Sequence, residues 1–239
     1  MNALGNATAA ELFKLRSLPA AVMAAVGTVV AGICLNAAVA ASGQRPPEAE
    51  QVMAQVIVLL QVGPIAFGVL AAASEYTGRQ IATTLTATPN RLMLLSGKGI
   101  AFLVAATTTG IASTGAGAAA AAVVLNARGI HHPTHIEPRV LAGAGLYLVL
   151  IGLLAFAVAI ALRSLIPPLA VMLVLVLIVS SLAAGYSEHA RWLPDRAGRL
   201  LYLPDGDPVL TAGTGALVLL AWVAMAGIAA SVAFSRRDA

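Results

Sequence analysis

Long apolar runs separated by short polar segments dominate the chain. Six of the runs are long enough to cross a membrane, because a bilayer core of about 30 Å needs roughly 20 apolar residues of helix. They cover residues 18–41, 52–74, 99–125, 140–162, 165–186 and 209–234. The runs are unbroken and rich in Ala, Leu and Val, whereas a membrane β-barrel alternates in segments of ~10 residues. The pattern therefore predicts one all-α polytopic membrane domain, residues 1–239, with six transmembrane helices.

Composition agrees with this class. The chain is 59% hydrophobic and 10% charged, with a mean hydropathy of +0.90, while soluble domains carry about 25% charged residues. The basic residues flank the apolar runs and form no basic stretch interleaved with aromatics, so nucleic acid is not an expected partner. Cys34 is the only cysteine. It excludes an intrachain disulfide, and its apolar surroundings predict a small core-filling residue.

Six crossings place both termini on one side of the membrane. If that side is inside, eight of the 14 Lys and Arg residues flank the inner ends, including both lysines and the terminal SRRDA. Cytoplasmic termini follow from this bias. The first seventeen residues predict no cleavable signal peptide. Residues 11–17 (ELFKLRS) predict either a short interfacial helix, with Glu11, Lys14 and Arg16 in water, or an ordinary flank of the first span.

Two features of the later loops predict local structure. Arg163 and Ser164 leave almost no connection between the fourth and fifth spans, so these spans form a hairpin, and Pro167 and Pro168 mark the start of the fifth. The segment 187–208 is unusually apolar for a loop. It predicts short re-entrant helices on the outer side, which are tolerated where the backbone is buried in protein.

Three histidines lie in the outside loop at residues 126–139. Imidazoles four residues apart on a helix share a face and bind metal ions, which is the spacing of His131 and His135. Pro133 lies between them, and Glu137 is the nearest carboxylate. We therefore predict a solvated loop here, and no metal site.

The longest polar stretch, EYTGRQIATTLTATPNRLMLLSGK at residues 75–98, is predicted to lie inside. Its first residues extend the second span into the cytoplasm. Thr88 before Pro89 leaves the α region and provides an N-cap, so a short amphipathic helix is expected at residues 89–98. Apolar Leu92 and Leu95 on that helix, with charges at Arg91 and Lys98, are typical of a docking element.

At these residues the chain resembles the permease subunit of ABC-2 type ATP-binding-cassette exporters of bacteria. The resemblance rests on ELFKLRS before the first span and on the pattern E-x-x-x-G-x…T-L…T-P-x-R…K after the second. SRRDA at the end and RLLYLPDGDPV before the last span agree with it. In topology it covers nearly the whole chain, and in motif mainly the first inside loop. Gln80 and Asn90 depart from the commonest family pattern.

The resemblance implies a complex in which transport and ATP hydrolysis belong to different subunits. In the family, a separate dimer of cytoplasmic ATPase subunits binds ATP and Mg²⁺. The chain has no G-x-x-x-x-G-K-[ST] motif of its own. It would therefore be neither an enzyme nor a cofactor-binding protein. A second permease, identical or related, would complete the complex in the inner (plasma) membrane. Residues 11–17 correspond to the interfacial helix. The ATPase-coupling residues would be Thr88, Pro89, Asn90, Arg91, Leu92, Leu95 and Lys98, and the cytoplasmic end of the second span would be Glu75, Gly78 and Arg79.

The cargo and two competing functions stay open at this point. Apolar spans favour an amphipathic or lipophilic cargo such as a drug, antibiotic or peptide. Within the spans Thr28, Gln55 and Gln61 either line a translocation path or bond neighbouring helices. The span interiors contain no Asp, Glu, Lys, Arg or His, which counts against a proton-coupled carrier. A non-transporting immunity or scaffold subunit would use the same inside loop to bind a partner.

Overall fold

The computed structural model describes residues 3–42, 49–77, 91–129, 137–203 and 207–236, and these ranges contain helices and no strand. The α-helices are α1 (Ala3–Ser17), α2 (Pro19–Ser42), α3 (Ala49–Leu60), α4 (Val62–Thr77), α5 (Arg91–Ala127), α6 (Pro138–Leu162), α7 (Ile166–Leu173), α8 (Ser180–Tyr186), α9 (Pro194–Arg199) and α10 (Ala212–Arg236). A π-helical turn, Val174–Val179, joins α7 to α8, and a 3₁₀ turn, Glu188–Trp192, precedes α9.

Within the described ranges, six helical stretches are long and apolar enough to cross a membrane, which confirms the predicted class of multi-pass helical protein. They are Pro19–Ser42, Gln55–Ser74, Leu92–Ala127, Pro138–Leu162, Ile166–Tyr186 and Ala212–Phe234. Five of them agree with the predicted runs to within three residues at each end. Prolines lie in the first turns of α6 and α7, because a missing N–H costs nothing there. Those of α7, Pro167 and Pro168, were expected.

The third span is the exception. A separate short helix was expected at residues 89–98, but from Arg91 onward the chain forms the first turns of α5, which continues unbroken to Ala127. The prediction ended the short helix at Lys98 and began the third span at Gly99, between two glycines. Isolated glycines weaken a helix without ending it. Gly97 instead gives room for α1, since a Cβ there would lie 3.1 Å from the Cβ of Ala7.

The second and fourth spans form the centre of the bundle. About two-thirds or more of their residues are buried (67% and 72%), against 17–28% in the other four spans. Three phenylalanines fill the middle of this core: the ring of Phe102 on α5 stacks at 4.7 Å on Phe156 and contacts Phe67 at 5.1 Å. The outer spans expose apolar side chains, and Cys34 is among the exposed residues of α2. The prediction of a core-filling cysteine is therefore wrong.

Small residues let the central helices approach closely. A Cβ at Gly68 on α4 would overlap the carbonyl oxygen of Gly152 on α6 and lie 3.0 Å from the amide nitrogen of Phe156. On α5, Gly110 and Gly117 similarly face backbone of α6 and α2. Close backbone approach through small residues is a common means of packing helices in lipid, where the hydrophobic effect no longer drives association.

Two arginines stabilise helix ends at opposite sides of the bundle. Arg163 ends α6 in the left-handed conformation (φ 51°), and its Nη2 donates to the carbonyl of Ala233, 3.1 Å away, near the end of α10. Arg128 follows α5, and its Nη1 donates over 2.6 Å to the carbonyl of Ala40 near the end of α2. A cation at a helix C-terminus pairs with unsatisfied carbonyls and with the helix dipole.

The apolar segment after the fifth span is folded against the bundle. Its α9 packs on α6 and α10, and its 3₁₀ turn packs on α9 and is bonded to α10 through Trp222. Ala197, Leu200 and Tyr202 are buried. The ring of Tyr202 lies 5.5 Å from that of Tyr147 on α6. The expectation of short helices in this segment is thus met within its described residues.

Candidate functional site

A buried ion cluster joins α1 to the beginning of α5. Nζ of Lys98 lies 3.2 Å from Oε2 of Glu11, and Nζ of Lys14 lies 3.7 Å from Oε1 of the same carboxylate. The side chains of Glu11 and Lys98 are only 7% and 11% exposed, while that of Lys14 is 32% exposed. The prediction that Glu11 stays in water is therefore wrong. We call these three residues the charged junction.

Helix geometry explains why the charges meet. Ala7 and Glu11 are four residues apart and lie on the same face of α1. Ala7 fits against Gly97, which has no side chain to hold the two helices apart. One residue further along α5, Lys98 reaches the carboxylate of Glu11. The small pair thus sets the separation of the helices at which the charged pair forms.

Electrostatics tie the three groups together. Burial lowers the pKa of Lys14, the positive charge of Lys98 lowers it further, and the carboxylate of Glu11 opposes both effects. Removing one partner from a buried ion pair is costly because the remaining charge lies uncompensated in a medium of low dielectric constant. The charged junction therefore holds α1 firmly on the first turns of the third span.

The predicted coupling residues fall partly within the described chain. Thr88, Pro89 and Asn90 lie outside the described residues, and Arg91 begins α5. Leu92 is 61% exposed, whereas Leu95 is partly buried against the core. Lys98 points into the charged junction, so it cannot also serve as an exposed docking charge. Of the predicted apolar contacts, Leu92 is thus the one with an open side chain in this part of the chain.

At the end of the second span, Glu75 belongs to α4, which extends to Thr77. The predicted extension of this helix beyond Ser74 is met over these residues. Gly78 and Arg79 lie outside the described residues, as do His131, His132 and His135. Elsewhere in the described chain, no cluster of three or more His, Cys, Asp or Glu residues could hold a metal ion.

The polar residues predicted for a translocation path differ in their exposure. Thr28 is buried against Gly63 on α4, and its hydroxyl donates over 2.7 Å to the carbonyl of Ala24. Gln61 is buried at the junction of α3 and α4. Gln55 is exposed on α3. Thr28 and Gln61 therefore have the surroundings of helix-packing residues, and Gln55 alone of the three is open.

A hydrogen bond at the break in the second span connects it to the fourth. The hydroxyl of Tyr147 on α6 donates to Oε1 of Gln61, whose Nε2 donates over 2.8 Å to the carbonyl of Val58. The break follows from Pro64, which has no N–H to donate to the carbonyl of Leu60 four residues earlier. Gln61 thus fixes a weakened point of the second span to its central neighbour.

Replacing Tyr147 with phenylalanine tests this contact. We expect a loss of about 1 kcal/mol in the free energy of unfolding, because the buried Oε1 of Gln61 loses its donor. The double variant Tyr147→Phe with Gln61→Leu should regain part of the loss, since no acceptor then lacks a partner. Unfolding by sodium dodecyl sulfate in mixed micelles measures both. Equal losses in the single and double variants would contradict the assigned bond.

Sequence reasoning did not find the charged junction. Glu11 and Lys98 lie far apart in the chain. Each stands next to a transmembrane segment, where a charged residue is usually exposed to solvent. The one signal in the sequence was the rarity of lysine, because the chain contains only two lysines and both belong to this cluster. In comparisons with known proteins, no family model and no curated protein matches the chain.

Proposed function

We propose that the chain is the permease subunit of an ABC-2 type exporter, driven by a separate cytoplasmic ATPase dimer that binds ATP and Mg²⁺. The observation that carries the proposal is the buried ion pair between Glu11 and Lys98. It fastens the N-terminal helix to the first turns of the third span, beside the segment that resembles the family's coupling region. A push on that segment would therefore move α1 and α5 together.

The path of the movement follows from the packing. The α5 helix runs without interruption from Arg91 to Ala127, so force applied at Leu92 is transmitted along a rigid rod. Its Phe102 stacks on Phe156 of the fourth span, in the buried centre of the bundle. Displacement of α5 would therefore reach the central helices and, through them, the outer side. A second permease, identical or related, would face this chain across the path for cargo.

The proposed orientation in the membrane and the class of cargo follow from the charged flanks and the exposed side chains. Both termini and residues 75–98 face the cytoplasm of the cell, and the segment 187–203 forms a re-entrant cover at the outer end of the fourth and sixth spans in the inner (plasma) membrane. The exposed, largely apolar side chains of the outer spans fit an amphipathic or lipophilic cargo, with Gln55 as the open polar residue on its path. The chain itself would neither hydrolyse ATP nor bind a metal ion.

Leu92 allows a sharp test of docking. Leu92→Ala shortens an exposed apolar side chain at the proposed ATPase contact without touching the charged junction. We expect at least roughly tenfold weaker binding of the ATPase, the effect of removing a central apolar anchor from an interface. Binding is measured with purified full-length chain in detergent and any P-loop ATPase that a neighbouring reading frame encodes.

The matched control is Leu103→Ala, the same truncation at an exposed position farther along α5. It should bind the ATPase as the wild type does, because it lies within the span and away from the cytoplasmic end. Undiminished binding by Leu92→Ala would contradict the docking assignment. Normal ATPase binding with no cargo-dependent activity would favour an immunity or scaffold subunit over an exporter.

A further inference from the structure

A cleft rich in arginine opens at the far end of the fifth span from the charged junction. It has a volume of about 180 Å³ and lies between the end of α8, the 3₁₀ turn, α9 and the residues that lead into α10. Three guanidinium groups and two carboxylates provide its ionic lining: Arg191, Arg196, Arg199, Glu188 and Asp207. Cationic groups thus outnumber carboxylates around the cleft.

Two of the three arginines already have partners. Arg191 lies 3.3 Å from a carboxylate oxygen of Glu188 and 3.6 Å from one of Asp207. Arg196 donates from Nε to the hydroxyl of Ser180, 3.2 Å away, and from Nη2 to the carbonyl of the same residue at 3.4 Å. The hydroxyl of Ser180 in turn donates to Oδ2 of Asp195 over 2.5 Å. The bonds to Ser180 hold α9 on the end of the fifth span, and Arg191 ties the 3₁₀ turn to the residues before α10.

Arg199 differs from the other two arginines in its bonding. Its guanidinium makes no hydrogen bond or ion pair with the described residues, and its Nε is shielded from solvent without an acceptor. A buried donor without an acceptor loses its hydration and gains nothing in return. The planar guanidinium offers paired donors whose spacing matches the oxygens of a phosphate. Among the described residues, Arg199 is therefore a cation of the cleft without an ion-pair partner, and it suits an anionic oxygen ligand.

Neighbouring aromatic residues indicate the level of the cleft in the membrane. Tyr186 at the end of α8 is 90% exposed, and Trp192 at the end of the 3₁₀ turn is 49% exposed. Nε1 of Trp222 on α10 donates over 2.9 Å to the carbonyl of Trp192, which fixes the turn. Exposed Tyr and Trp at the end of a span are typical of the lipid headgroup region. The cleft thus opens where phospholipid phosphates lie.

We propose that this cleft binds a phosphate group, with Arg199 as its principal ligand, and that the phosphate belongs to the headgroup of an anionic phospholipid. Binding there would tie the outer cover formed by the 3₁₀ turn and α9 to the surrounding lipid. The inference depends on the outer cleft alone. It would stand if the chain had no ATPase partner, and it would fail without affecting the proposed transport role.

Tryptophan fluorescence provides the test, because Trp192 follows the cleft residue Arg191 in the 3₁₀ turn and Trp222, the other tryptophan of the chain, is bonded to it. Full-length protein in neutral detergent is titrated separately with dioctanoyl phosphatidylglycerol, dioctanoyl phosphatidylcholine and sodium phosphate. We expect a saturable change with phosphatidylglycerol and a much weaker response to phosphatidylcholine. Saturation by sodium phosphate in the same concentration range would identify a soluble phosphate as the source, and its inactivity would identify the lipid.

The variant Arg199→Gln should bind phosphatidylglycerol roughly tenfold more weakly, the expected loss for one charge-assisted contact. Arg139→Gln is the matched control, because Arg139 is an exposed arginine at the start of α6 that does not line the cleft. It should bind as the wild type does. Equal affinity of Arg199→Gln and wild type, or an equal loss in Arg139→Gln, would overturn the proposal. So would an equal response of the wild type to the two lipids, a result that needs no variant to fold.

Discussion

Lys98→Met is expected to lower the free energy of unfolding by roughly 3 kcal/mol, the low end of the cost of breaking a buried ion pair. The reason is the carboxylate of Glu11, which is 7% exposed and would lose its partner at 3.2 Å. Lys14 remains 3.7 Å from the other carboxylate oxygen and limits the loss. Unfolding by sodium dodecyl sulfate in mixed micelles measures the change.

Two further variants make this result specific. Glu11→Gln combined with Lys98→Met removes both charges of the pair and should recover most of the lost stability, because no buried charge is then left unpaired. Lys14→Met removes the more exposed lysine and should cost less than about 1 kcal/mol. A double variant no more stable than Lys98→Met would show that the ion pair is not what the substitution breaks.

Gly68→Ala is expected to destabilise the protein by about 2–3 kcal/mol, within the usual range for overpacking. The added methyl would overlap the carbonyl oxygen of Gly152 and approach the amide nitrogen of Phe156. Both are backbone atoms of α6, so no side chain can rotate away, and the two central spans must separate. The same unfolding assay measures the loss.

Gly115→Ala on α5 is the matched control, because nothing lies within 4 Å of a Cβ at that position. It should retain the stability of the wild type, and alanine's higher helix propensity favours it slightly. If the two alanine variants unfold at the same denaturant concentration, the close approach of α4 and α6 is not a source of stability.

The number and placement of the spans could be predicted from the sequence because each depends on a local property. A run of about 20 apolar residues crosses a bilayer wherever it occurs, and Pro167 and Pro168 mark a helix start through their own geometry. The beginning of the third span does not depend on a local property. Gly97 is ambiguous by itself, and only its contact with Ala7 shows that it is a packing position within α5.

The charged junction could not be predicted from local sequence either, because it depends on a contact between distant segments. Glu11 and Lys98 both stand next to apolar runs, where a wetted charge is the ordinary expectation. Their contact depends on α1 folding back onto α5, which no pattern within either segment specifies. The arginine cleft is similar, since Arg199 differs from Arg191 and Arg196 in having no hydrogen-bond or ion-pair partner within the described parts of the chain. Tertiary contacts decide these roles, whereas the apolar runs decide the fold class.

The central claim, that this chain is the membrane half of an ATP-driven exporter, is tested most directly by reconstitution. The full chain and any P-loop ATPase that a neighbouring reading frame encodes are placed together in liposomes, and ATP hydrolysis is measured with and without a panel of amphipathic compounds. We predict that hydrolysis depends on the chain, rises with at least one compound, and loses that rise in Leu92→Ala but not in Leu103→Ala. Hydrolysis that is the same with and without the chain, for every compound, would contradict the claim.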